Sequence, residues 1–114
     1  MMSSPNLYQL KAMFEDNIQI LADILNEYLI DTPKQLTFLN IAISRQNTSQ
    51  IINLLHQLAP NLLLLNLTEE ANQSKHFELY LAKLPTFPTE ELKLLSTQIE
   101  NQLPQINHLL KTLI

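Results

Sequence analysis

Leucine and isoleucine recur along this chain at the three- and four-residue spacing of amphipathic helices. The first stripe predicts either one helix over about residues 17–46, bent at Pro33, or two abutting helices, and we favour the bent one. The polar segment 47–50 supplies a stop and a new N-cap, and Asn66 is typical of a helix end. The stripes of these two segments consist of Ile18, Leu21, Leu25, Leu29, Leu36, Leu39, Ile43, Ile51, Leu55, Leu58, Leu62 and Leu65.

The second half of the chain predicts two further helices. Thr68 and the two acidic residues after it are typical of a helix start, and this helix is expected to reach about Lys83. Two prolines within residues 84–88 form the clearest boundary in the chain. Beyond that boundary the most regular stripe predicts a helix with a bend at Pro104, through Leu92, Leu95, Ile99, Leu103, Ile106, Leu110 and Leu113.

Together these segments predict an all-α fold. Four main helices with short connections are typical of an antiparallel four-helix bundle of up-down-up-down topology. Ser4 and Pro5 are suited to start a short extra N-terminal helix through Leu10, which would cover one end of the bundle. A chain of 114 residues has room for a single domain, which we expect to span residues 1–114.

Composition excludes several classes of protein. The absence of glycine excludes phosphate-cradling loops, dinucleotide-binding folds and most all-β folds. The absence of cysteine excludes disulfides, a thiol nucleophile and a thiolate metal site, and it fits a cytoplasmic protein. A net charge of −4 argues against a nucleic-acid partner. No apolar run approaches the roughly 20 residues that cross a bilayer, and we expect no membrane partner.

His56 is the first candidate for chemistry. By the helical period Asn53, His56, Gln57 and Pro60 lie away from the leucine stripe, so the imidazole should be exposed. A neutral imidazole offers its Nε2 lone pair as a nucleophile or metal ligand. Pro60 lacks the N–H that would bond the His56 carbonyl, which should loosen the helix there. An ordinary surface histidine is the competing interpretation.

The sequence around His56 resembles the active-site helix of histidine-containing phosphotransfer (HPt) domains. That family has the pattern H-x-L-K-[G or P] on an exposed helix, and His56, Leu58 and Pro60 match it. Downstream, Phe77 and Glu78 lie where the family often has an apolar residue followed by an acidic one. Upstream, the family's order and spacing are reproduced by Phe14, Leu25, Tyr28, Asp31, Pro33, Leu36 and Leu39.

The resemblance implies a phosphoryl carrier rather than a kinase. In such a relay the imidazole accepts a phosphoryl group from an aspartyl-phosphate of a receiver domain and passes it to another receiver. The partner would be a response-regulator receiver domain, a hybrid sensor kinase, or both. No cofactor is expected on this chain, because the receiver brings the Mg²⁺. We expect a monomer.

Two positions depart from the family pattern. The family has a lysine three residues after the histidine, and this chain has Ala59 at that position. We therefore expect Gln57 to supply the supporting hydrogen bond instead. The family also has small residues seven and ten positions after the histidine, and this chain has Leu63 and Asn66 there. Leu63 either packs in the ordinary way or forms an apolar docking surface with Ile52. The receiver-docking face expected on this helix consists of Ile52, Asn53, Ala59, Pro60 and Leu63.

The remaining titratable residues give weaker hypotheses. His76 and His108 are isolated from one another and from His56, which argues against a metal site. Lys75 and Lys83, on the following helix, are the nearest candidates to replace the missing lysine. The main alternative to a relay is an HPt-like docking domain that binds a receiver or kinase without phosphoryl transfer. A plain helical bundle with an unrelated partner is a third possibility.

Overall fold

A computed structural model, which describes residues 3–114, is helical over most of its length and has no strand in that range. This confirms the all-α prediction. The α-helices are α1 (Tyr8–Phe14), α2 (Ile18–Ser44), α3 (Thr48–Leu64), α4 (Thr68–Tyr80), α5 (Thr89–Asn101) and α6 (Leu103–Leu113), with a 3-10 turn over Leu81–Lys83.

The first half of the chain follows the pattern of its apolar residues. α2 continues through Pro33, as the in-phase stripe predicts. The Asn47 side chain caps α3 by accepting a hydrogen bond from the Gln50 amide at 3.2 Å. After α3 ends, Asn66 adopts a left-handed conformation with φ of 60°. Both predicted helix boundaries are confirmed.

The C-terminal segment differs from the single bent helix expected there. α5 ends at Asn101 and α6 begins at Leu103, with Gln102 between them. Pro104, in the first turn of α6, has no N–H to donate to the carbonyl of Glu100, and its ring crowds that carbonyl. Pro33 and Pro60 lack the same N–H and leave α2 and α3 unbroken, so a proline alone does not decide where a helix ends.

Two other boundaries also differ. α1 begins at Tyr8 and not at Pro5, because residues 3–7 form a non-helical strap whose first residue, Ser3, bonds to other helices. The amide of Asn6 donates to the carbonyl of Leu65 at 3.0 Å, which takes it out of any local helix. α4 ends at Tyr80, and only a 3-10 turn continues to Lys83.

The helices pack around a core made mostly of leucine and isoleucine. α3 lies between α2 and α4, and α2 also contacts α5 and α6. The leucine-lined side of α3 is therefore covered, and its other side is left to solvent. None of the helices in residues 3–114 combines the length and apolar character needed to span a bilayer. The largest fully buried side chains are Leu10, Leu21, Leu25, Leu39, Ile43, Ile51, Leu55, Leu58, Leu62, Leu65, Leu67 and Leu92.

Candidate functional site

His56 projects into solvent from the middle of α3. Its side chain is 76% exposed. Asn53, Gln57 and Pro60 are exposed on the same side of the helix, as the helical period predicts. Directly beneath, Leu55 and Leu58 are fully buried. The imidazole is thus a solvent-facing group on a helix that the core holds from behind.

The ring of His56 is oriented by Glu78 on α4. Nδ1 of His56 lies 2.5 Å from Oε1 of Glu78, and the Glu78 side chain is only 22% exposed. An ionised carboxylate only accepts hydrogen bonds, so this contact fits the tautomer of the ring that carries its proton on Nδ1. The lone pair is then on Nε2, the nitrogen that faces away from Glu78. The contact with Glu78 leaves Nε2 as the ring nitrogen without a partner among residues 3–114.

The sequence alone does not predict the contact between His56 and Glu78. The family resemblance marks Glu78 as an acidic position but gives it no role. Gln57, expected to support the histidine, is exposed and makes no side-chain hydrogen bond within residues 3–114. The signal that pairs His56 with Glu78 is the register of α3 against α4. Helical periodicity within one segment carries no information about that register.

The predicted docking face is only partly exposed. Asn53 and Pro60 are open to solvent, whereas Ile52 and Leu63 are half-buried and pack against the core. Ala59 is 2% exposed and adds almost no surface. α4 packs against α3, the helix that bears Ala59. The accessible part of the predicted docking face therefore consists mainly of Asn53 and Pro60, which carry no charge.

Charged groups are scarce around the ring. α3 contains no lysine, arginine, aspartate or glutamate. Lys75 is exposed on α4, one helical turn before Glu78, while Lys83 lies beyond the end of that helix in the 3-10 turn. Within residues 3–114 no three histidine, aspartate or glutamate side chains are grouped so as to hold a metal ion.

The residues that match the upstream part of the family pattern lie on α1 and α2. Phe14 is partly buried against the core, Asp31 is exposed and Tyr28 is 4% exposed. Burial raises the pKa of Tyr28 above its ordinary value; the Thr32 side chain opposes this rise and the Glu70 carboxylate adds to it. Tyr28 is therefore a neutral, structural residue at physiological pH.

Comparison of the chain with protein-family models, with curated proteins and with solved structures gives no significant match. The case for a function therefore depends on the geometry around His56 and on the residue pattern.

Proposed function

We propose that this chain is a histidine phosphotransfer domain in which Nε2 of His56 carries the phosphoryl group between receiver aspartates. The observation that carries this proposal is the pairing of an exposed imidazole with Glu78, 2.5 Å from Nδ1. A phosphoryl carrier needs a nucleophilic nitrogen that is accessible, correctly protonated and rigidly oriented. The side chain of His56 is exposed, and its contact with Glu78 supports the other two properties.

The chemistry requires little of this chain. The Nε2 lone pair attacks phosphorus, the bond between phosphorus and the aspartyl oxygen breaks, and the aspartate leaves as a carboxylate. The imidazole keeps its Nδ1 proton and so gains a positive charge while the phosphoryl group arrives. Glu78 accepts that Nδ1–H and stabilises the charged ring. The return step is the reverse, with a second aspartate as the attacking group.

The proposal includes the finer architecture. We infer an antiparallel four-helix bundle in which α2, α3 and α4 are three members and α5 with α6 together form the fourth. α1 is the short extra helix before the bundle. This assignment is supported by the packing of α3 between α2 and α4 and by the contacts of α2 with both α5 and α6. It presents α3 and its histidine to a partner as a rigid rod.

Transfer from a receiver tests the proposal directly. The purified chain is mixed with a receiver domain loaded with phosphate on its aspartate, and acid-labile, base-stable phosphate on the chain is measured. We expect the wild type to acquire it and the His56→Gln variant to acquire none. The matched control is His108→Gln, which removes an exposed histidine from α6 and should transfer normally. Equal labelling of wild type and His56→Gln would refute the proposal.

The docking-domain alternative is favoured by one observation, the absence of any cationic side chain on α3. It predicts binding without transfer. Titration of the isotopically labelled chain with the same receiver, followed by NMR, distinguishes docking from phosphoryl transfer. Shifts confined to α3 and α4 in a chain that gains no phosphate would support the alternative.

A further inference from the structure

A phosphoryl group on His56 would enter a surface that holds a negative charge and few positive ones. Such a group carries a charge of about −1.5 to −2 at neutral pH. The carboxylate of Glu78 already contacts the other nitrogen of the ring. Between Arg45 and Lys83 the sequence contains one lysine or arginine, Lys75. Lys75 is therefore the one lysine or arginine that α3 and α4 provide.

The register of the two helices brings Lys75 to the His56 side of α4. It lies three residues before Glu78, and residues at that spacing are neighbours on a helix surface. α3 and α4 are joined by a short turn at Leu65–Leu67 and pack along their length, so they run antiparallel. One turn back from Glu78 on α4 therefore corresponds to one turn forward from His56 on α3.

That level of α3 is the position of Ala59. Ala59 is 2% exposed and has no group that can bind an anion. Lys75 is exposed and makes no ion pair or side-chain hydrogen bond within residues 3–114. A lysine ammonium is a compact charge on a flexible stem, so it can turn toward an anion on the neighbouring helix. Its position and its lack of a partner are both suited to this role.

We propose that Lys75 is the cation that contacts the phosphoryl group on His56, supplied from α4 across Ala59. This inference rests on the proposed phosphotransfer function. Lys75 neutralises part of the charge that the phosphoryl group brings next to Glu78. It also attracts the anionic donor to the ring. If Lys75 were only a solvated helix residue, its charge would have no effect on either event.

Phosphoramidate, a small phosphoryl donor, tests the inference without a protein partner. The Nε2 lone pair attacks its phosphorus, the phosphorus–nitrogen bond breaks and ammonia leaves. The initial rate of phosphohistidine formation is followed by phosphorus NMR for wild type, Lys75→Gln and Lys75→Arg. We expect Lys75→Gln to slow the reaction about three- to tenfold, and Lys75→Arg to keep at least about half of the wild-type rate.

The matched control is Lys93→Gln, which removes the same charge from an exposed position on α5 and should leave the rate unchanged. Raising the salt concentration should slow the wild type and Lys93→Gln more than Lys75→Gln, because the screened attraction is absent from the latter. A purely structural role for Lys75 would not change this salt dependence. Circular dichroism confirms that each variant is folded.

The outcomes separate the two proposals. If the wild type forms phosphohistidine and Lys75→Gln reacts as fast as Lys93→Gln, the role of Lys75 is refuted and the proposed function stands. If the wild type forms no phosphohistidine, the proposed function fails and the role of Lys75 fails with it. A slow Lys75→Gln variant with a normal Lys93→Gln variant supports both.

Discussion

His56 and Glu78 illustrate what single residues contribute to this site. The exposure of His56 could be predicted from helical periodicity, because a residue opposite a leucine stripe must face outward. The contact of its Nδ1 with Glu78 could not, because it joins residues 22 positions apart on two helices. A polar contact of this kind depends on helix register and side-chain direction, which packing decides.

Replacing Glu78 tests whether the charge of its carboxylate matters. Glu78→Gln keeps an oxygen that can accept the Nδ1 hydrogen bond but removes the negative charge. We expect phosphohistidine formation from phosphoramidate to slow about tenfold, since a hydrogen bond to a charged group is worth about 1 to 2 kcal/mol more than a neutral one.

The control for this substitution is Glu91→Gln, which removes an exposed carboxylate from α5. A Glu78→Gln variant as fast as the control would mean that Glu78 only packs beside the ring.

Tyr28 gives a prediction at the same scale about stability. Its folded-state pKa is raised above the ordinary value near 10, so the unfolded chain ionises first as the pH rises. The unfolded state then holds fewer protons than the folded state, and stability falls above about pH 10. Tyr28→Phe removes this loss, so relative to wild type it should gain up to about 1.4 kcal/mol per pH unit there.

Urea unfolding at pH 7, 10 and 11 measures this gain. At pH 7 the two proteins should differ by no more than about 1 kcal/mol, because the Tyr28 hydroxyl is buried and makes no hydrogen bond of normal geometry. Tyr80→Phe, at an exposed position, is the control and should follow the wild type at every pH. A constant difference between Tyr28→Phe and wild type across this range would contradict the prediction.

At the scale of the helices, the ends are unusual because the chain has no glycine. The left-handed conformation that commonly ends a helix is adopted by Glu15, Asp16, Gln46 and Asn66, with φ between 50° and 60°. Asn66 and Asp16 tolerate this conformation better than Glu15 and Gln46, because their short polar side chains can bond locally. The helix ends after α1 and α2 therefore hold backbone strain that glycine would relieve.

Gln46→Gly should stabilise the protein. The left-handed conformation costs an ordinary residue about 1–2 kcal/mol, and the extra freedom of glycine in the unfolded chain offsets part of the gain. We expect a net increase of about 0.5–1 kcal/mol in the free energy of unfolding. Gln105→Gly inside α6 is the matched control and should lower stability by about 1 kcal/mol. A loss of stability in both variants would argue against strain at Gln46.

The helices also show which parts of the fold the sequence specifies. The extents of α2 and α3 follow from stripe and cap residues such as Asn47, because those signals are local. The break at Gln102 was missed, since Pro33, Pro60 and Pro104 look alike in sequence and only the last one ends a helix. The predicted start of α1 was wrong because the strap of residues 3–7 bonds to distant helices through Ser3.

At the scale of the whole molecule, the strap of residues 3–7 ties distant helix junctions together. The Ser3 amide donates to Glu70 at 3.3 Å, and the Ser3 carbonyl accepts from Gln102 at 2.8 Å. Glu70 and Gln102 are both fully buried. Asn6 bonds to Leu65 and Asn66 in the turn between α3 and α4. The strap thus connects the end of the helix that bears His56 with the α5–α6 junction.

Deleting residues 1–6 should lower the free energy of unfolding by about 2–3 kcal/mol, because the Glu70 carboxylate loses its N–H partner while much of its surroundings stays buried. Glu70→Gln should destabilise the full chain more than the shortened one, with a coupling of about 1 kcal/mol. Chemical denaturation of the four proteins measures this cycle. Additive effects would show that the strap and Glu70 act independently.

The strap also affects how the protein should be handled. An affinity tag or fluorophore fused ahead of Ser3 would be attached directly to the residue whose amide bonds to the carboxylate of Glu70. Displacing the strap would also disturb the turn at the end of α3, to which Asn6 bonds. The other terminus is a safer attachment point, since Ile114 is 81% exposed. Immobilisation through Ile114 would leave both the surface around His56 and the strap of residues 3–7 undisturbed.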